Sequence, residues 1–409
     1  MALKELLHER TNLDVVIILL YLIGIIITSN NYLKISRKHF NLFLLVGITH
    51  LLFTFLYYSI TLNNVADAIG YYRRVYFIFR SWPETLGENF GQGSNFIYFL
   101  LYPLVKFFNI SYFGCFFIFS YVGLLGFKLM YDVIIDLFNN NWSTNFLLLL
   151  LPNLHFWSVG IGKDALIFFA LSCFVTVFYF KKSFRSYIIP LILVGFIRIH
   201  IVVFIAIGYM FATTFQNKSK SSGYKAFIII LSSLLSYVVF PLLKERLGVD
   251  DASSVDEKIE KLQNVNMNGD SGVDLSNSFL IVKWLAYMYR PLFYDAKNVL
   301  SLLASIENTL YVVISYKCIK IFLFIKKADK IDFFFWFCFF IMITVSMPSA
   351  YLLSNLGIAM RQKTMAFPFF LSLFLYLVNS KNKINEKYRI IQLTSLSTIK
   401  PNFNQLPNS

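Results

Sequence analysis

Charged residues are scarce in this sequence. They make up 14% of its 409 residues, whereas hydrophobic residues make up 57%. A soluble domain carries about 25% charged residues, so this chain has too little polar surface to dissolve. The shortage of charge excludes a soluble globular protein and predicts a chain that is surrounded by lipid.

Cysteine is scarce as well, and none of the four cysteines stands in the spacing of a metal site. All of them lie in or beside apolar runs, where we interpret them as small apolar side chains: Cys115, Cys173, Cys318 and Cys338. The sequence also lacks a Walker loop, a dinucleotide fingerprint and a Ser-His-Asp pattern. We therefore expect no metal and no cofactor.

Long apolar runs take the place of charge. They recur from end to end and can cross about 30 Å of hydrocarbon, and they do not alternate as the strands of a membrane barrel would. The first run is followed by the basic segment KISRKH rather than by a cleavage site of small residues, so we interpret it as a retained span. The expected fold is an all-α integral membrane protein with about eleven transmembrane helices.

Positive charge sets the expected orientation. The net charge is +15, and the positive-inside rule explains most of it. No basic stripe is interleaved with exposed aromatic residues, so we expect no nucleic-acid partner. With KISRKH in the cytoplasm, residues 1–379 form the transmembrane domain, the loops 62–94 and 243–292 lie outside, and residues 380–409 form a loosely ordered cytoplasmic tail.

Three segments do not fit simple crossings. Residues 95–109 fit a re-entrant or interfacial helix, and residues 278–292 fit an outer interfacial helix. Residues 187–215 are interrupted at Arg198 and His200, and they fit two half-length helices that enter from the cytoplasm and return. The remaining runs are predicted crossings near residues 13–29, 42–61, 112–132, 144–157, 165–180, 226–242, 298–316, 331–347 and 364–379.

Arginine is enriched outside the predicted cytoplasmic loops, where lysine is the common basic residue. A planar guanidinium binds phosphate or carboxylate through two parallel hydrogen bonds, which predicts a phosphate group at the headgroup level. An arginine inside an apolar run needs a cavity or a partner, and this favours a functional role for one that interrupts a run. The arginines in question are Arg73, Arg74, Arg80, Arg198, Arg246, Arg290 and Arg361.

Each of these arginines also has a plainer interpretation. Arg73, Arg74 and Arg290 would serve equally well as anchors that face lipid headgroups. Arg246 lies in an acidic loop and fits a solvated ion pair better than a ligand site. The functional interpretation is therefore strongest for Arg198 and Arg361.

Few acidic residues lie near these arginines. Asp67 follows the second predicted span, and Lys163 and Asp164 lie at the outer tip of the hairpin formed by 144–157 and 165–180. Asp164 opens a helix, so a plain helix cap is the alternative to a catalytic role. Glu307 lies inside a predicted span and needs a basic or polar partner.

Several fragments, taken in order, resemble one family. They are DAIGYY, NFIYFLLYPLVKFFNIS, LPNLHFWSVGIGKDAL, RIHIVVF, YRPLFYDAKNVLSLLASIEN and NLGIAMRQKTMAFP. Their order over most of residues 60–370 resembles bacterial polysaccharide polymerases of the O-antigen (Wzy) and EpsG type. It is also similar in pattern to the GT-C membrane glycosyltransferases.

The resemblance implies a specific activity. Such polymerases join oligosaccharide repeat units carried on undecaprenyl diphosphate at the outer face of the bacterial inner membrane, and undecaprenyl diphosphate leaves. Further partners would be a flippase, a chain-length regulator and membrane lipid. By the same resemblance, Arg198, Arg361, Arg290, Arg73 and Lys163 would bind the diphosphate.

The same resemblance gives candidates for the proton acceptor. Asp67 matches the acid in the first outer loop of the GT-C pattern, and Asp164 and His200 are further catalytic candidates. A side chain of this kind would take the proton of the acceptor hydroxyl.

Two other functions stay open. A GT-C enzyme would add a single sugar from undecaprenyl phosphate instead of building a polymer. A flippase of the same lipid carriers should show internal repetition and a central path lined with charges, and we detect neither in the sequence.

Overall fold

The structure is a computed structural model. It describes residues 3–64, 66–79, 91–216, 223–224, 226–228, 230–231, 267, 271–275, 277–326 and 331–398. Within these residues the secondary structure is helical, and the only strand-like pairing is one isolated bridge between Gly272 and Asn355. The predicted all-α class is confirmed for this part of the chain.

Thirteen α-helices carry the described fold, and we number them in chain order. The first half contains α1 (Leu3–His8), α2 (Asn12–Leu33), α3 (Arg37–Asn63), α4 (Asp67–Phe77), α5 (Ser94–Tyr102), α6 (Tyr112–Leu137) and α7 (Pro152–Ser158). The second half contains α8 (Lys163–Tyr179), α9 (Phe184–Gln216), α10 (Leu280–Tyr289), α11 (Val299–Lys326), α12 (Phe333–Tyr351) and α13 (Leu356–Thr398).

Seven of these helices are long and apolar enough to cross a membrane: α2, α3, α6, α9, α11, α12 and α13. This confirms a helical membrane protein, but the predicted number of about eleven crossings is not confirmed. The predicted span at 226–242 lies largely outside the described residues. Helix α8 is apolar too, but its 17 residues cover only about 26 Å.

The run 144–157 does not form the single crossing helix that its hydropathy predicts. It folds as a 3₁₀ helix (Thr144–Leu150) followed by the short α7. Leu151 between them is extended, at φ −61° and ψ 124°. Pro152 explains the break, because proline disfavours the α conformation in the residue before it.

Two other segments also depart from or refine the predictions. Residues 95–109 contain the nine-residue α5 and a π-helical turn at Pro103–Phe107, so they hold no single helix long enough to cross. Helix α13 runs on past residue 380 to Thr398, so it extends into the predicted tail. Between residues 380 and 398 no proline or glycine interrupts it.

The break in α9 occurs where the sequence predicts it. Arg198 leaves the helical region, at φ −153° and ψ 86°, while the residues on both sides stay helical. The segment therefore consists of two helical stretches that meet at a kink at Arg198, which agrees with the predicted division into two half-length helices. A break inside a membrane must satisfy the freed backbone groups, and here the carbonyl of Phe196 accepts a hydrogen bond from the Gly93 N–H at 2.7 Å.

The core lies around α6, which packs against α2, α3 and α8. Gly123 of α6 allows close contact with α7, because a Cβ at this position would collide with the backbone carbonyl of Ser158. The rings of His50 and His155 are buried beside this contact, with their Nδ1 atoms 3.0 Å apart. These contacts fix the segment that leads into α8, and α8 begins at the charged residues described next.

Candidate functional site

Two carboxylates and two guanidinium groups meet in one cluster. The Nε of Arg361 donates to Asp164 at 2.5 Å, and its Nη1 donates to Asp67 at 2.6 Å. Arg198 reaches the second oxygen of Asp164 through Nη2 at 3.5 Å. Four predicted binding and catalytic residues that are far apart in the sequence thus meet in one cluster, in which Arg361 contacts both carboxylates and Arg198 contacts Asp164.

Each side chain comes from a different helix. Asp67 is the first residue of α4, Asp164 lies in the first turn of α8, Arg198 sits at the break of α9, and Arg361 lies near the start of α13. Helix ends and a broken helix therefore supply the whole cluster. The plain helix cap that we considered for Asp164 does not describe its contacts, because both of its oxygens bind arginine.

The turn before α8 aims Asp164 at the cluster. Gly162 caps this helix with φ +152°, a conformation that residues with a side chain rarely adopt. A Cβ at Gly162 would also lie 3.3 Å from the ring of Tyr71. Glycine therefore both permits the turn and leaves room for α4, which carries Asp67.

Lys163 adds a third positive charge. Its ammonium group lies beside Gly93. Burial, and then the nearby Arg198 and Arg361, lower the pKa of Lys163. Three cations against two carboxylates leave one excess positive charge, so the cluster favours an additional anion.

Arg198 has an unused donor within this cluster. Its Nε is buried and makes no hydrogen bond with any residue that the structure describes. A buried donor without a partner costs about 1–3 kcal/mol. Arg361 keeps free donors too, because a guanidinium carries five N–H groups and only two nitrogens are engaged by carboxylates.

The contacts described for the remaining predicted site residues are different ones. His200 contacts the ring of Phe204 with 5.9 Å between centroids. Arg73 is exposed on α4. Arg290 pairs with Asp295 through Nη2 at 2.5 Å and Nε at 3.1 Å.

Two of the outer arginines from the sequence, Arg80 and Arg246, lie outside the described residues. Arg74 stacks over the ring of Tyr98 at 5.3 Å. Within the described part of the chain, Arg198 and Arg361 are therefore the arginines that share a carboxylate.

A second polar network was not predicted as a unit. Lys363 is buried and donates to the Arg290 carbonyl at 2.9 Å and to Asn308 at 2.8 Å. Glu307 accepts hydrogen bonds from the Asn153 N–H at 2.7 Å and from the hydroxyl of Tyr311. The polar partner expected for Glu307 is confirmed. For Lys363, the only indication in the sequence is its position two residues after Arg361.

A cavity of about 690 Å³ adjoins both networks. Trp157 lines it and also lies 6.0 Å from the guanidinium of Arg361. Met360 and Glu307 line it from α13 and α11. Its volume falls in the range of about 300–1,000 Å³ that is typical of small-molecule sites.

The described residues contain no group of three or more His, Cys, Asp or Glu side chains that could hold a metal ion. The charge cluster itself places fixed cations beside carboxylates. Such a site can bind an anion and accept a proton. No protein-family model, curated protein or solved structure matches this chain.

Proposed function

We propose that this protein is a polymerase that joins oligosaccharide repeat units carried on undecaprenyl diphosphate. It would act at the outer face of the bacterial inner membrane, in the synthesis of O-antigen, capsule or exopolysaccharide. The observation that carries the proposal is the contact of Arg361 with both Asp67 and Asp164, with Arg198 sharing Asp164. Glycosyl transfer from a diphosphate needs a stabilised leaving group and a base near the acceptor, and fixed guanidinium groups and carboxylates can supply these roles.

The cations would stabilise the leaving group. When the bond between the anomeric carbon and the diphosphate oxygen breaks, negative charge develops on the diphosphate. Guanidinium groups held in place by carboxylates need no rearrangement to meet this charge, and they act more strongly where water is excluded. The free N–H groups of Arg361 and the unpartnered Nε of Arg198 are donors for it.

Asp67 is the better candidate for the proton acceptor. Its side chain is 57% exposed, whereas that of Asp164 is 11% exposed and lies between two arginines. The acceptor hydroxyl would attack the anomeric carbon and pass its proton to Asp67, while undecaprenyl diphosphate leaves with the electron pair of the broken bond. Asp164 would hold Arg198 and Arg361 in position.

The proposal can be tested in a bacterium that depends on this chain for its polymer. The measurement is the length distribution of the lipid-linked polymer. Arg361→Gln should abolish the ladder of polymer lengths while the protein still inserts at the normal level. The matched control is Arg185→Gln, since Arg185 is exposed at the start of α9 and lies outside the cluster. A normal ladder from Arg361→Gln would overturn the proposal, and a wild-type product extended by one sugar only would replace it with a single-sugar transferase.

A further inference from the structure

Helix α4 and the π-helical turn at Pro103–Phe107 lie where two membrane spans end. The last turn of α3 and the first residue of α6 are joined by a hydrogen bond from the Tyr112 hydroxyl to Thr61, at 2.9 Å. Tyr72 of α4 donates to the carbonyl of Ile110, two residues before α6, at 3.2 Å. Because spanning helices leave the hydrocarbon near their ends, we expect α4 and the turn at the level of the lipid headgroups.

The side of α4 that faces away from the protein is both apolar and basic. Phe77 and Ile78 at its end are 51% and 57% exposed, and Arg73 and Arg74 are exposed as well. Side chains three or four positions apart are neighbours on a helix, so these four residues form one surface. Exposed apolar side chains beside cations are typical of a helix that lies in the membrane interface.

The π-helical turn continues this surface. Lys106 is exposed and donates to the carbonyl of Tyr76, in the last turn of α4, at 2.7 Å. Phe108, directly after the turn, is 60% exposed. The two segments therefore share one surface, which we call the interface patch and define by six residues: Arg73, Arg74, Phe77, Ile78, Lys106 and Phe108.

The cations of the interface patch are not neutralised by carboxylates. Within the described part of the chain, neither the two arginines nor the lysine of the patch forms an ion pair. Asp67, the one acidic residue of α4, pairs with Arg361 instead. Arg74 stacks on the ring of Tyr98 at 5.3 Å, and stacking leaves the N–H groups at the edge of a guanidinium available for a phosphate.

We propose that the interface patch binds the headgroup phosphate of an anionic phospholipid, while its exposed apolar side chains lie among the first carbons of the acyl chains. A basic surface attracts anionic lipids, whereas a zwitterionic headgroup brings its own cation and is repelled in part by the patch. Arg73 would then bind this lipid rather than the diphosphate that the sequence resemblance implies. The bound lipid would also hold α4, whose first residue, Asp67, belongs to the charge cluster.

The test measures which lipids lie next to the patch when the full chain is reconstituted in phosphatidylcholine nanodiscs. Phe108→Cys provides the attachment site for an apolar fluorophore, because Cys115, Cys318 and Cys338 are buried and Cys173 is half-buried. Protein without this substitution, taken through the same labelling, gives the background. Quenching of the fluorophore is compared between nitroxide-labelled phosphatidylglycerol and nitroxide-labelled phosphatidylcholine at the same mole fraction.

We expect phosphatidylglycerol to quench the labelled protein at least about twofold more than phosphatidylcholine. The preference should disappear when Arg73→Gln and Arg74→Gln are combined, and it should weaken in about 1 M salt, where the Debye length is about 3 Å. Lys381→Gln combined with Lys383→Gln is the matched control, since it removes the same charge from exposed lysines of α13. This control should keep the full preference.

Arg73→Lys combined with Arg74→Lys keeps the charge and should keep most of the preference, which separates loss of charge from loss of the fold. Equal quenching by the two lipids in the labelled protein would overturn the proposal and favour an acidic protein partner for the patch. A preference that survives the two glutamine substitutions would overturn it too. Loss of the preference in the lysine control would show that net charge, rather than this patch, attracts the lipid.

Discussion

Arg361 donates to Asp67 at 2.6 Å although 294 positions separate the two residues in the sequence. The contact joins the short helix α4, which follows the second span, to the start of the last described helix, α13. Closing so long a loop costs conformational entropy, so many other contacts must hold the two helices in place. Formation of this ion pair therefore depends on the packing of the whole helical bundle.

Arg198→Ala should abolish polymer while membrane insertion stays normal. Its guanidinium shares Asp164 with Arg361, so the two arginines should not act independently. In a double-mutant cycle with Arg361→Ala, the combined loss of thermal stability should be smaller than the sum of the single losses, with a coupling of about 0.5–3 kcal/mol. Thermal unfolding in detergent gives these losses, and additive losses would show that the two arginines do not depend on each other through Asp164.

Asp164→Asn and Asp67→Asn should separate stability from activity. Asp164 is nearly buried between two arginines, and removing one partner of a buried pair costs about 3–5 kcal/mol. Asp67 is more than half exposed, and exposed pairs contribute about 0–1 kcal/mol. Thermal unfolding in detergent should therefore drop markedly for Asp164→Asn and little for Asp67→Asn, although both lose polymer.

Equal thermal stability of these two variants would contradict the burial difference between the carboxylates. Normal polymer from Asp67→Asn would remove Asp67 as the proton acceptor. In that case Asp164 would remain as the candidate from the sequence that contacts the arginines.

Lys163 should make stability depend on pH in the alkaline range. Burial and its cationic neighbours lower the pKa of Lys163 in the folded protein, so the unfolded chain binds its proton more tightly. Stability should therefore rise with pH from the folded pKa up to the unfolded value of about 10.4. Lys163→Met should be more stable than the wild type near neutral pH.

The advantage of Lys163→Met should shrink as the pH rises, because the wild-type lysine loses its charge in the folded state. Thermal unfolding of both proteins across this range measures the difference. A constant difference at all pH values would show that the methionine acts through packing rather than through charge. Lys182→Met is the control, since Lys182 is exposed beyond the other end of α8.

Gly162→Ala should misplace Asp164. The φ of +152° is strained for alanine, and its Cβ would meet Tyr71 at 3.3 Å. Strain of this kind costs about 1–3 kcal/mol, so we expect lower thermal stability and weaker pyrophosphate binding. Gly70→Ala on α4 is a matched control, because nothing lies within 4 Å of the added atom, and equal behaviour of the two variants would show that the turn tolerates a side chain.

Single residues of the site can be identified from the sequence more readily than the residues that they contact. A charge inside an apolar run must be compensated, and this pointed to Arg198 and Glu307 before any geometry was known. Which carboxylate meets which arginine depends on contacts between residues as far apart as 164 and 361. Hydropathy and local motifs carry no information about such distant pairs.

Hydropathy also misread one segment of the fold. The leucine-rich run 144–157 has the composition of a span, yet the conformation before Pro152 divides it into a 3₁₀ helix and a short α-helix. Lys363 was missed for a related reason. A lysine near the start of a predicted span resembles an orientation signal, and only the fold shows it bonded to Arg290 and Asn308.

The bend in α9 is held in part by main-chain atoms, through the hydrogen bond from the Gly93 N–H to the carbonyl of Phe196. Replacing the side chain at position 198 therefore leaves that anchor untouched. The guanidinium at position 198 could therefore be replaced by an amide or an imidazole while the main-chain hydrogen bond at the kink is kept. Position 198 is therefore the natural place for substitutions that redirect the chemistry of the site toward other headgroups.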